Sequence, residues 1–270
     1  MKKETRDEIK QVIKSVLQTK FDKNTAETES KPFFEAIFSK EHILIGSIIQ
    51  SMYTSFGMSV YEQIGVILAK SAGFEAERQY TLHGKIDSTT EKWINEHWKE
   101  LKNGIKNKKT DLDMLKSKSD EINKIREMIE PCTVNLDKLE KDGDSTVDLY
   151  IRNPKDDSEY YIDITTVKNN LKAFEVLKLK MLRWSALRLS VKKNAKVNTY
   201  IGIPYNPYNP KPYLRWNSTI LDKKNDILIQ EDLWNLLGNN HNTYTDLLEI
   251  FKEVGDELNQ EIQDFFDSKL

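Results

Sequence analysis

Apolar residues recur at three- and four-residue steps from Asp7 to Leu17, where Ile9, Val12, Ile13, Val16 and Leu17 fall on one side, and this spacing predicts an amphipathic helix. A polar loop follows around Asp22 to Lys31. Helical spacing returns between His42 and Ala72 and is interrupted near Ser55-Phe56-Gly57, which predicts two helices, the second carrying Tyr61 to Lys70. Gly73 suits the end of that helix, because a residue without a Cβ enters the left-handed conformation that closes helices. Ser88-Thr-Thr-Glu91 reads as a capping box ahead of Trp93, Ile94, Trp98 and Leu101. From Lys99 to Lys124, lysines and acids alternate with sparse aliphatics, a texture of solvated helices or a hairpin to which no function is assigned.

The period changes after Pro131. Thr146 to Ile151 and Tyr160 to Thr166 alternate apolar and polar residues and are rich in β-branched and aromatic types, with Asn153 to Ser158 as the turn of a β-hairpin. Asn170 can cap a helix to about Val191 that places Phe174, Leu177, Met181 and Trp184 on one face, and a strand over Val197 to Ile203 follows. Pro204 to Tyr213 holds four prolines, three tyrosines and Lys211, a stiff loop rather than a helix or inner strand. Two helices, Gln230 to Leu237 and Tyr244 to Phe266, end the pattern. The expectation is one α/β domain over 1–270 with a mixed central β-sheet flanked by helices: a mainly helical part (1–130), an α/β core with a basic helix and the Pro/Tyr loop (131–216), and an acidic helical end (217–270) that covers the core or a dimer partner.

Composition sharpens this picture in two ways. With 270 residues, 38% of them hydrophobic, the chain can bury one sizeable core. One cysteine, Cys132, excludes an internal disulfide, and no apolar run spans a bilayer, so a soluble cytoplasmic protein with no membrane partner is expected. The net charge of -2 conceals two opposed blocks. Thr165 to Trp216 carries eleven basic residues against Glu175 alone, whereas Glu231 to Leu270 carries ten acids against Lys252 and Lys269. Only the first block suits a polyanion, through displacement of counterions from phosphates, with Tyr205, Tyr208, Tyr213 and Trp216 interleaved for packing on sugars or bases.

The candidate chemistry lies just upstream of the basic block. Asp148 and Asp163 each sit among aliphatics on one strand of the hairpin. A carboxylate in an apolar strand costs desolvation energy, and two facing each other repel, so the pair implies a shared cation or a hydrogen-bond network. Hard oxygen donors suit Mg²⁺, which keeps several waters and takes further ligands from phosphate. The four histidines lack close metal-ligand spacing, and no GxxxxGK[ST] or GxGxxG phosphate cradle and no nucleophile-elbow serine is present.

An acid on one strand, a turn, an acid on the next strand and then a helix resembles the PD-(D/E)xK nuclease superfamily, with Asp148 and Asp163 matching its acids. The lysine that pattern has two residues after the second acid is Thr165 here, and Lys168 or Lys172 is the expected substitute. Ser55 to Gly65 before Ala69 to Phe74 looks like the early helix of type II restriction endonucleases, which implies that Glu62 assists at the metal, with Glu75 and Glu77 as alternatives. Asp163 to Asn170, Leu182 to Arg188, Pro204 to Tyr208, Tyr213 to Trp216, Leu233 to Gly238 and Thr243 to Leu248 look similar to the TdeIII-type endonucleases.

What the resemblance implies is a restriction-endonuclease-like core acting as a homodimer on a short, near-palindromic double-stranded DNA site of GGNCC type, accompanied by a cognate DNA methyltransferase. Lys178, Lys180, Arg183, Arg188, Lys211 and Arg215 are the expected DNA contacts, most of them to phosphates. A repair or junction nuclease, and a non-cleaving DNA-binding protein in which Thr165 marks lost chemistry, are the alternatives left open by the residues.

Overall fold

The computed structural model describes residues 1–23, 31–106, 117–134, 145–165, 170–214, 220–222 and 224–268. Its helices are α1 (Lys3–Lys23), α2 (Pro32–Glu35), α3 (Lys40–Ser55), α4 (Tyr61–Ser71), α5 (Ser88–Lys106), α6 (Lys118–Met128), α7 (Leu171–Val191), α8 (Glu231–Gly238), α9 (Thr243–Glu257) and α10 (Asn259–Asp267). Its strands are β1 (Glu75–Thr81), β2 (Thr146–Asn153), β3 (Ser158–Ile164), β4 (Lys196–Ile203) and β5 (Ile227–Ile229). The predicted break near Phe56 is a π-helical turn, Phe56–Val60, that joins α3 to α4 without a loop. Gly73 takes φ +87°, the left-handed conformation expected after α4.

The strands form one sheet in the order β1-β2-β3-β4-β5. β1, β2 and β3 pair antiparallel; β3, β4 and β5 pair parallel, with α7 as the crossover between β3 and β4. Asn170 starts α7 by accepting the Ala173 N–H at 2.9 Å, as its sequence position predicts. The sheet is mixed and helices cover both faces, the expected fold class.

One face packs α5, α6 and α7 through Ile94, Leu101, Ile125, Phe174, Met181 and Trp184. The other packs α1, α4, α8 and α9 against Leu149, Ile151 and Ile162. Gly65 lets α4 lie close on β2, since a Cβ there would sit 2.6 Å from Leu149 Cδ1. The acidic C-terminal end covers the core: α9 packs on α1, and Glu253 and Glu257 pair with Lys10 at 2.7 and 2.8 Å, with Arg6 also on Glu253. No helix among the described residues is long and apolar enough to cross a membrane.

Three local expectations are corrected, and two strands are new. The head of α5 is capped by Asp87, not by Ser88: its carboxylate accepts the N–H groups of Thr89 and Thr90 at 3.0 and 2.9 Å and the Thr90 hydroxyl at 2.7 Å. The C-terminal helix breaks at Leu258 into α9 and α10. The charge-rich stretch before Pro131 supplies α6, opened by a true capping box at Ser117 and Asp120, and buries Lys118 and Glu121. β1 and β5 escape the period-two pattern, because β1 is an edge strand of mostly polar residues and β5 is three residues long.

Candidate active site

Extending the β2–β3 register one step beyond Leu149↔Ile162 sets Asp148 opposite Asp163, at the end of the hairpin where the ladder opens. Asp148 itself opens it, since its Oδ2 accepts the Ile164 N–H at 2.7 Å. From the face covered by α4, Glu62 enters with its side chain buried in the first turn of that helix. From the opposite face Lys180, midway along α7, places Nζ 2.9 Å from Asp163 Oδ2. β1 contributes Gln79, whose Nε2 donates to Glu62 Oε2 at 3.1 Å and to Asp148 Oδ1 at 3.2 Å, and Arg78, whose Nε lies 3.7 Å from Glu62 Oε2. A cleft of about 430 Å³ is lined by Glu62, Gln79, Asp148, Ile164 and Thr165, with Gln50, Tyr53, Thr54 and Gly57 as its far wall.

The electrostatics are those of crowded acids. Burial first, then the charges of Asp163 and Glu62, push the Asp148 carboxyl up to about 7, against the Ile164 hydrogen bond and Lys180. Burial also raises Glu62, opposed by Gln79 and Arg78. Among the described residues no three His, Cys, Asp or Glu side chains converge as a ready-made metal cage. An oxygen-only set of neighbouring carboxylates, brought together at the cost of burial and of their mutual repulsion, nevertheless fits Mg²⁺, which binds through one or two carboxylates and takes its other ligands from water and phosphate.

The remaining sequence candidates are dispersed. Thr165 lines the cleft, and its N–H donates to Gly202 O at 3.0 Å. Lys172 is exposed in the first turn of α7, while Lys168 and Arg215 lie outside the described residues, as does Trp216. Lys178, expected on DNA, is instead buried between α6 and the start of β5, with Nζ 2.6 Å from Glu121 and 2.9 Å from Asp226; His97 and Lys118 complete the network. Arg188 is likewise committed inward, holding the buried Glu159 through two hydrogen bonds of 2.6 Å, and Arg183 pairs with Glu91. A buried charge survives only with such partners, so neither Lys178 nor Arg188 is placed to meet phosphate. Tyr213 is buried against Tyr208, and Lys211 remains exposed on the loop.

Sequence reasoning placed Lys180 among phosphate contacts and overlooked Gln79. The signal for Lys180 was topological. A crossover helix runs back along the strand it follows, so a lysine some turns inside α7 can return to Asp163, whereas one in the first turn lies about 12 Å further along the axis. Gln79 belongs to a strand that the sequence pattern does not reveal.

Mixed sheet, hairpin acids and flanking helices fit the class to which the comparisons assign the chain, the type II restriction endonucleases, which are site-specific deoxyribonucleases. Within that class the chain belongs to the HinfI family, whose model matches residues 1–255. It is 26% identical over 250 residues to the type II restriction enzyme HgiCII of Herpetosiphon aurantiacus, covering 88% of this chain and 82% of that enzyme. It is 28% identical over 212 residues to MjaII of Methanocaldococcus jannaschii, covering 74% of this chain and 52% of that enzyme, and 25% identical over 229 residues to HgiEI of Herpetosiphon aurantiacus, covering 83% and 77%. The expected class is thus borne out, without the narrower TdeIII-type likeness. Enzymes of this class act on double-stranded DNA and generally use divalent metal ions.

Proposed function

We propose that this restriction endonuclease is Mg²⁺-dependent and of the PD-(D/E)xK kind, that Asp148 and Asp163 hold the ion with Glu62 assisting, and that Lys180 supplies the ammonium group the strand lacks at Thr165. The observation that carries this reading is the meeting of four side chains from α4, β2, β3 and α7 at the open end of one hairpin. Bound there, Mg²⁺ would supply Lewis-acid stabilisation of charge on the phosphate and a more acidic water.

The chain's own residues do the rest. Asp148 is fixed by the Ile164 N–H, so its free lone pairs keep one direction. Lys180 pairs with Asp163 at 2.9 Å and brings to the site a cationic donor that would orient an attacking water. Lys180 therefore takes the role expected of Lys168 or Lys172. Lys211, on its exposed loop, is a phosphate contact, as is Arg215.

The working form is a homodimer of single-domain protomers, because a two-fold protein matches a two-fold DNA site. Supporting this, Phe33, Phe34, Ile37 and Phe38 stand 84%, 57%, 75% and 49% exposed around α2, and Ile49 and Tyr53 are exposed on α3. Together these six offer apolar surface on the order of several hundred Å², near the ~800 Å² that one partner gives to a standard interface. A cognate methyltransferase protecting the same DNA site is the companion activity. Digestion of phage DNA with Mg²⁺ by wild type, Asp163→Ala, Lys180→Ala and Lys168→Ala tests the assignment. Discrete fragments from wild type and Lys168→Ala, and none from the other two, are expected; unchanged cutting by Asp163→Ala overturns the metal site.

A further inference from the structure

We infer that Gln79 is a positioning residue of the metal site: its amide spans Glu62 and Asp148 and holds both carboxylates at the spacing from which they take up a divalent cation. The inference rests on the metal site proposed above and adds to it a residue outside the acid-turn-acid pattern.

Three observations converge on Gln79. The first is its hydrogen bonding. A carboxamide nitrogen has two N–H donors, and Gln79 Nε2 places one on Glu62 Oε2 at 3.1 Å and one on Asp148 Oδ1 at 3.2 Å. Since Asp148 Oδ2 already accepts the Ile164 N–H at 2.7 Å, the Asp148 carboxylate is gripped at both oxygens and cannot rotate. Glu62 is the other acid that such a grip must steady, and the same amide does so.

The second is the backbone. Gln79 has φ +50° inside a strand, a conformation L side chains rarely adopt. Among the described residues the other non-glycine positions with positive φ have local reasons: Asp157 lies in the β2–β3 turn, Gln230 precedes α8 and Asn239 follows it. Gln79 has no turn to make. The ladder pairs Arg78 with Leu149 and Tyr80 with Val147 on either side of it, so the register is kept while one residue, opposite Asp148, is turned. Unfavourable backbone geometry persists where the surroundings enforce it, and it concentrates at functional sites.

The third is charge. Glu62 and Asp148 sit in one cleft with Asp163 nearby, and the positive groups at hand are Arg78, 3.7 Å from Glu62, and Lys180 on Asp163. A neutral double donor between two carboxylates lowers their mutual repulsion without occupying the site with a competing charge. Residues that orient metal ligands typically change affinity 10–100-fold when removed.

The test is Mn²⁺ binding to the intact protein without DNA, followed by the paramagnetic resonance signal of the free ion, together with the Tm of the metal-free protein. Four proteins are compared: wild type, Gln79→Met, Gln79→Asn and Asp148→Asn. Methionine keeps the length and loses the amide. Asparagine tolerates positive φ better than glutamine but is too short to span both acids, so it remains informative if the methionine variant does not fold. About tenfold or greater weakening of Mn²⁺ binding in the Gln79 variants, at near-wild-type Tm, is expected. Unchanged or tighter binding in them, with binding lost in Asp148→Asn, overturns the role of Gln79 and leaves the metal site standing. Wild type and Asp148→Asn binding Mn²⁺ alike, or neither binding it, overturns both.

Discussion

Lys180 Nζ and Asp163 Oδ2 are 2.9 Å apart although 17 residues separate them in sequence, so the acid of β3 receives its cation from the crossover helix. In Lys180→Met, cleavage should fall by about 10²–10⁴-fold, the range for a lost proton-transfer or water-orienting group. Binding to DNA in Ca²⁺ should change little. Lys172→Ala should cost less than about tenfold, because Lys172 is an exposed residue of the kind that contributes at most a phosphate contact. Single-turnover cleavage measures both, and near-wild-type rates for Lys180→Met would move the ammonium to another lysine.

Asp148 gives a pH signature in the metal-free protein. Its carboxyl is raised from 3.8 to about 7 by burial and by the neighbouring acids. The folded state then binds the proton more tightly than the unfolded state, so this group's contribution to stability is present below pH 4 and is lost as pH rises toward 7. Asp148→Asn, which cannot ionise, should raise the Tm by several degrees at pH 8 and by little at pH 4, while abolishing cleavage. Thermal melts in a chelating buffer read the difference. A lower Tm for the variant at pH 8 would show that the acid is not held under charge strain.

Lys178 and Lys211 should separate cleanly in experiment despite both belonging to the basic block. Removing Lys178 leaves Glu121 and Asp226 buried without their shared cation, and Lys178→Met should destabilise the fold by about 3–5 kcal/mol in urea melts. Lys211→Ala should leave stability unchanged and reduce the salt dependence of DNA binding by about one phosphate contact. A stable Lys178→Met protein with a reduced salt slope would reverse these assignments.

Association can be probed at α2. Phe33→Ser with Ile37→Ser changes two side chains that are 84% and 75% exposed, so the fold should survive. Sedimentation velocity should show wild type as a dimer and the double variant as a monomer at micromolar concentration. A dimeric double variant would place the interface elsewhere.

Legibility in the sequence followed the range of the interactions. Helix α7, its Asn170 cap, the hairpin and the pair Asp148 and Asp163 rest on local periodicity and adjacent residues, and all are visible in the chain. Lys180 was visible only as a charge, because its partner is set by how far a helix runs back over a strand. Lys178 and Lys180 are two residues apart and look alike in sequence, yet one is buried with Glu121 and Asp226 and the other reaches Asp163. Gln79 was hidden for a different reason. An edge strand can be mostly polar, so Glu75–Thr81 shows no alternation from which a strand, or its one turned residue, could be read.

The π-helical turn Phe56–Val60 makes α3 and α4 one continuous rod with one extra residue accommodated between its two halves. Each α-helical residue advances the rod by about 100°, whereas the wider π turn advances each residue by less, so its five residues wind about as far as four α-helical ones and take up one extra residue without turning α4 out of phase. A further residue inserted here, with no such turn left to absorb it, would swing α4 by about 100°, turning Glu62, two residues past the turn, away from Asp148 and Gly65 off Leu149. Sequence length in these five positions is therefore a determinant of where the acid points, independent of which side chains occupy them.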